Sequence, residues 1–219
     1  MKQYLNRLNR MLPVLLAVCA VLNSLNAQTT APMITGEFFL KGVMEMASGF
    51  RFNPDSTFDF FYIYGSLDRV GHGTWVKKGE YLILNSPPKP EQDFILQEAK
   101  HTDADQLVIQ ITDPNEMILP YVLCKLITAQ GELNGTANSS GIIAFGKVPV
   151  TEIWLLHELW PDRPSIFKNT DPANNYFSFT IAPWIVNVSF KDLKLHIVDK
   201  DTLVGMHPLM ERTNLQYGR

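Results

Sequence analysis

The sequence predicts an all-β protein organised as two small modules, and three observations carry that prediction. Short runs rich in Phe, Tyr, Val and Ile follow one another closely, with Gly, Pro, Asn and Asp between them. No segment of useful length keeps a helical period. A polar stretch, Lys100 to Gln106, interrupts the pattern before it restarts at Leu107. Strands of this kind close into barrels or pack as sandwiches. The interruption divides the chain into one β domain over 36–100 and another over 107–219, although a single larger β domain also fits the length.

In chain order, Lys2, Arg7 and Arg10 precede an apolar stretch from Met11 to Leu22. A basic start, a short apolar core and a small residue before Gln28 describe a secretory signal peptide over 1–27. The stretch is shorter than the about 20 residues a bilayer-spanning helix needs, so no transmembrane span is expected in the mature chain. A frayed amphipathic helix is one alternative. Another is lipid anchoring at Cys19, because Leu16-Ala17-Val18-Cys19 has the outline of a lipobox. Val18 stands where a smaller residue is usual, and Cys19 sits inside the apolar stretch instead of at its end. The expected destination is periplasmic or extracellular.

Gln28 to Thr35 reads as a tether. Glu37 to Lys41 opens the strand pattern, and Phe50 and Phe52 alternate with Arg51. Asn53-Pro54-Asp55-Ser56 is a turn, with Pro54 setting φ and Asp55 able to bond the backbone downstream. Strands are expected over Thr57–Tyr64, Gly73–Lys77 and Tyr81–Asn85. A loop is expected over Gly65–Gly71 and a two-residue turn at Lys78-Gly79. The prolines of Ser86–Glu91 make a rigid break, and Phe94–Glu98 closes the first module.

Two resemblances sharpen this outline. Ile109 to Val122, with Asp113 and Pro120, and Gly135 to Phe145, with Thr136, Asn138 and Gly141, resemble the carboxypeptidase regulatory-like, or transthyretin-like, β-sandwich module. Glu116-Met117 stands where that family has a turn glycine, and Asn138 replaces an aspartate. The resemblance covers about 40 residues and implies a sandwich with a structural or binding role. In the first module, Gly36-Glu37-Phe38, Phe52 to Phe58 and Gly73-Thr74-Trp75 resemble secreted bacterial lipocalin-like domains. Tyr64-Gly65-Ser66-Leu67-Asp68 resembles a signature of envelope proteins. These imply a small lipocalin-like barrel or half-barrel, without an activity.

The strand from Phe58 to Tyr64 poses the main functional question. Phe58, Phe60, Tyr62 and Tyr64 share one face, while Asp59, Phe61 and Ile63 share the other. The second half is apolar on both sides, so both are expected to be covered. Either the strand packs against the second module or a loop, or the barrel holds a small apolar ligand lined by Phe60, Tyr62, Tyr64 and Trp75. Trp160, beside Pro161 and Asp162, is expected on a loop as an exposed contact for a partner surface or a sugar ring. Trp154, at strand spacing from Leu156, reads as core.

Little else carries chemistry. The formal charge is −3, and loss of Lys2, Arg7 and Arg10 makes the mature chain more acidic, which argues against nucleic acid as a partner. Cys124 would then be the remaining cysteine, in the apolar run from Tyr121 to Ile127, and reads as a buried thiol. The five histidines are isolated, no metal-ligand spacing occurs, and no cofactor is expected. No nucleophile elbow, phosphate loop or dinucleotide fingerprint is present. Asn134, Asn138 and Asn187 begin formal glycosylation sequons and read as turn residues.

The expected function is therefore a non-catalytic secreted or envelope binding protein, taking a small apolar ligand or a surface partner. One alternative is a structural or assembly component of an envelope complex, which should have a filled barrel and an exposed apolar patch. Another is a hydrolase, which should bring two of Glu45, Asp68 and His72 within hydrogen-bond reach.

Overall fold

A computed structural model describes residues 34–219, so the expected signal peptide and Cys19 lie outside the described residues. The strands are β1 (Gly36–Leu40), β2 (Met46–Phe52), β3 (Thr57–Tyr64), β4 (Leu67–Lys78), β5 (Tyr81–Asn85), β6 (Phe94–Lys100), β7 (Gln106–Thr112), β8 (Val122–Thr128), β9 (Gly131–Thr136), β10 (Ile142–Gly146), β11 (Val150–His157), β12 (Trp160–Lys168), β13 (Tyr176–Ile181), β14 (Leu193–Asp199), β15 (Thr202–Gly205) and β16 (Leu215–Gly218). Short 3₁₀ turns occupy Glu116–Tyr121 and Pro183–Val186. The protein is all-β, a closed barrel joined to two further sheets. No helix among the described residues is long and apolar enough to cross a membrane.

The barrel has eight strands in the order β1-β16-β15-β14-β5-β4-β3-β2. Every neighbouring pair is antiparallel, so the chain runs up and down around it. Its hairpins follow local turn chemistry. The Asp55 carboxylate accepts from the Thr57 N–H at 3.0 Å and from the Thr57 hydroxyl at 2.6 Å, which fixes the β2–β3 corner. Lys78 pairs with Tyr81, which moves the next turn one residue along from its expected place, to Gly79-Glu80.

The expected loop over Gly65–Gly71 is instead a two-residue turn followed by strand, because Tyr64 pairs with Leu67. The glycines of β4 mark close approach. A Cβ at Gly71 would lie 2.6 Å from the Phe190 ring, and one at Gly73 would strike the Asn85 carbonyl.

The domain limits also differ from expectation. β6 belongs to a sheet with order β10-β7-β13-β6, away from the barrel, and β14, β15 and β16 close the barrel rather than extend a second module. The sandwich over 94–181 is thus inserted between two neighbouring barrel strands, β5 and β14. Its first and last residues pair, Phe94 with Ile181, and the Ala182 N–H donates to the Asp93 carbonyl at 3.0 Å. Insertion needs such adjacent ends. The polar stretch read as a boundary is the β6–β7 loop. Buried Asn175 ties it down, accepting from the Thr102 N–H at 2.7 Å and donating to the carbonyls of Thr102, Ala104 and Gln106.

The second sandwich sheet has the order β12-β11-β8-β9. Leu107, Ile109, Ile111, Phe177 and Phe179 from one sheet meet Val122, Leu126, Ile153 and Leu155 from the other. The turn at Asn138 works as an aspartate would, its side chain accepting from the N–H groups of Ser140 and Ile142.

Buried charge joins sandwich to barrel. Arg69 on β4 is 4% exposed and grips Asp162 on β12 through both terminal guanidinium nitrogens, at 2.6 and 3.2 Å. It also donates to the Val186 carbonyl at 3.1 Å. Lys89 and Arg163 converge on buried Asp93, at 3.1 and 3.4 Å. Asp68, the sequence neighbour of Arg69, takes no part in this pair; its backbone carbonyl accepts from the Trp160 indole.

Candidate functional site

The expected ligand wall is packed core. Phe60, Tyr62 and Trp75 are buried, and Phe50 alone has Phe52, Phe58, Phe60, Phe190 and Tyr217 within ring-contact distance, centroids 5.1 to 6.3 Å apart. An eight-stranded barrel is just wide enough for side chains to fill, and here Phe rings fill it. The Trp75 indole N–H is already used, donating to the Thr57 carbonyl at 3.0 Å.

Past Tyr62, β3 leaves the packed region. Ile63 is 45% exposed and Tyr64 48%, so neither face of its end is covered as expected. Four surface pockets are lined by other residues, and none of them by Phe60, Tyr62, Tyr64 or Trp75.

Trp154 and Trp160 exchange their expected places. Trp160 is buried, its ring 4.3 Å from that of His157 and its indole N–H donating to the Asp68 carbonyl at 3.3 Å. Trp154 does share a face with Leu156, but it is the outer face of the sheet, where the indole is half-buried.

Glu45, Asp68 and His72 are all exposed, and no hydrogen bond among the described residues joins their side chains. A serine–histidine pair does occur, unforeseen: Ser48 Oγ lies 2.9 Å from His207 Nε2 inside the barrel. The ring's other nitrogen, Nδ1, accepts the Leu209 N–H at 3.1 Å. The proton of the neutral ring therefore sits on Nε2 and is donated to Ser48, whose own hydroxyl donates to the Phe61 carbonyl at 2.8 Å. A general base must present a lone pair to the hydroxyl, and this ring presents a proton. Burial also pushes the His207 pKa down to about 4. The pair is arranged as an internal brace.

Cys124 is buried, and burial alone pushes its thiol up to about 12, far from a reactive thiolate.

A groove of about 400 Å³ runs across the outer face of the β12-β11-β8-β9 sheet. Leu123, Leu156 and Pro164 line it together with the Trp154 indole, Lys125, Asn134 and Thr136. Register explains the grouping. Trp154 pairs with Lys125 and Lys125 with Asn134, while Leu156 pairs with Leu123 and Leu123 with Thr136, so two rows cross three strands. The indole is held in place: its N–H donates to Glu152 at 2.8 Å, and the Lys125 ammonium lies 5.4 Å from the ring centre. Lys125 is itself paired with Glu132 at 2.9 Å.

The sequence held a signal for this groove. β8 and β11 are apolar at both parities, Leu123 and Ile127 beside Val122 and Leu126, and Trp154 and Leu156 beside Ile153 and Leu155. Such a strand has apolar side chains left over after its core face is satisfied.

Comparison of this chain with protein family models, with curated proteins and with solved structures finds no match.

Proposed function

We propose that this chain is an exported, non-catalytic binding protein whose recognition site is the Trp154 groove. The observation that carries the reading is an oriented, half-exposed indole beside Leu123 and Leu156 on a sheet face, in a recess of ligand size. The basic and apolar character of residues 1–27 supports export to the periplasm or the cell exterior. The aromatic filling of the barrel makes that module a scaffold in this reading, with a lipocalin-like strand order adapted to carry an inserted sandwich. Nuclear magnetic resonance with small ring-bearing fragments tests it. Shifts should gather on Leu123, Trp154 and Leu156 and vanish in Trp154→Ala. Fragments that bind elsewhere, or that ignore Trp154→Ala, overturn it.

A second reading, assembly into a larger envelope complex, is favoured by a different surface. On the barrel exterior Phe39, Phe61 and Val70 lie in one row across β1, β3 and β4, with Ile63 beside them. Phe39, Ile63 and Val70 are exposed, and such a patch fits a protein partner. A mass measurement of the native mature protein as a defined oligomer that Val70→Asp dissociates would support it.

A further inference from the structure

Resting on the groove as the binding site, we infer that its ligand is a neutral saccharide, with a pyranose ring stacked on Trp154. Three features of the site select this chemistry over an apolar molecule or an anion.

The first is the shape of the polar rim. Asn134 and Thr136 stand exposed on β9, one on each of the two rows that form the groove. Neither side chain hydrogen-bonds to another described residue. An amide and a hydroxyl each donate and accept. Sugar hydroxyls do the same, so one ring edge can satisfy both side chains. A purely apolar ligand would cover them and leave both without partners, which is unfavourable.

The second is charge. Lys125 is paired with Glu132, and Glu152 accepts the indole N–H. The cation at the groove, Lys125, is held by a carboxylate within the protein, so none is left over to neutralise a phosphate or carboxylate. An anionic ligand would have to compete with Glu132 for that lysine, whereas a neutral polyol does not.

The third is the indole itself. A sugar ring has one face of C–H groups and an edge of hydroxyls, and the aromatic face with polar neighbours is its complement. The bond to Glu152 and the nearby Lys125 ammonium fix the indole before any ligand arrives, which lowers the ordering cost of binding.

The experiment titrates the mature protein with neutral gluco-, xylo- and N-acetylglucosamine oligosaccharides and with an oligouronate as the charged control, following backbone amide shifts and binding heat. At least one neutral sugar should shift Leu123, Asn134, Thr136 and Trp154, and the oligouronate should bind more weakly. Trp154→Ala should weaken binding about tenfold or more and Trp154→Phe by less, since the stacking surface shrinks in that order. Asn134→Ala and Thr136→Val should each weaken it a few-fold, as single hydrogen bonds do. If no sugar binds while ring-bearing apolar fragments still occupy the groove, the saccharide inference falls and the groove stands. If sugars bind with unchanged strength in Trp154→Ala, the inference falls and the site lies elsewhere. If neither class binds, both readings fall. Thermal unfolding of each variant, expected near that of the parent because these side chains lie outside the core, separates lost binding from lost folding.

Discussion

The barrel and the sandwich enclose their cores with different side chains, and the difference decides where a ligand can go. The barrel interior is a mesh of rings, Phe38, Phe50, Phe52, Phe58, Phe60, Phe190 and Tyr217. The sandwich is filled mainly by aliphatic side chains such as Leu107, Ile109, Leu126 and Leu155. Rings packed against one another fill the barrel interior where a guest would sit. The aliphatic core needs only one face of β8 and β11, and it leaves an indole and two leucines on the other. One feature is shared. Each module buries a histidine whose Nδ1 accepts the N–H two residues on, from Leu159 in one case and Leu209 in the other. His157 donates onward to the Ile118 carbonyl and His207 to Ser48.

Acid should break this shared feature with the largest effect. Burial lowers both histidines from 6.5 to about 4, and the Ile118 carbonyl and Asp113 oppose that only in part for His157. The unfolded chain therefore binds more protons than the native one between those values. Stability is complete above pH 6.5 and is lost as pH falls toward 4, by roughly 2–3 kcal/mol for each histidine. Urea midpoints measured from pH 7.5 to 4 should show this slope. Neither imidazole should titrate near 6.5 in a magnetic resonance titration of the native protein. Titration of either at its ordinary value would remove that histidine from the argument.

Truncating the cores comes next. Phe50→Ala should destabilise by about 3–5 kcal/mol and Leu126→Ala by about 2–5 kcal/mol. Because sandwich and barrel share the Arg69–Asp162 junction, both variants should shift one common transition. Labelling of Cys124, buried in the sandwich, reports that module alone. If Phe50→Ala lowers the barrel transition while Cys124 stays protected, the modules unfold separately.

The junction itself should respond asymmetrically. Asp162→Ala leaves the Arg69 guanidinium, 4% exposed, without its carboxylate, and should destabilise by about 3 kcal/mol. Arg69→Met leaves Asp162, 37% exposed, to water and Lys89, and should destabilise by only about 1 kcal/mol. The double variant should be less destabilised than the sum of the two. Equal single effects, measured by urea unfolding, would mean that packing around Arg69 matters more than its charge.

How much of this was legible in the sequence follows from which interactions are local. The turns at Asp55 and Asn138 close through side chains two to four residues away, and both were readable. The first five barrel strands were largely visible too, because hairpins pair sequence neighbours. The end of the barrel was not. β15 and β16 are four residues each, too short to show a period, and they join strands far away in sequence. The insertion was hidden for the same reason, since the pairing of Phe94 with Ile181 has no local signature. At the site, the alternation of Trp154 with Leu156 correctly placed them on one face. It could not say which face, since β11 is apolar on both. Trp160 looked exposed because of Pro161 and Asp162. In the fold Asp162 turns to Arg69, and the indole is covered by the junction.

Trp154 gives the smallest effect, and its contrast with Trp160 gives the sharpest test of inner against outer faces. Trp154→Ala removes an indole whose neighbours are an exposed sheet face and solvent. It loses the contact with Lys125, worth about 0.5–1 kcal/mol at an exposed site, and the hydrogen bond to Glu152, which water replaces. The net change in unfolding free energy should stay within about 1 kcal/mol. Trp160→Ala empties a buried space beside His157 and should destabilise by about 3–5 kcal/mol. The two substitutions are chemically identical and only six positions apart, so the difference between their unfolding midpoints measures burial directly. A large loss from Trp154→Ala would mean that the indole holds the sheet together, and a side chain doing that is poorly placed to receive a ligand.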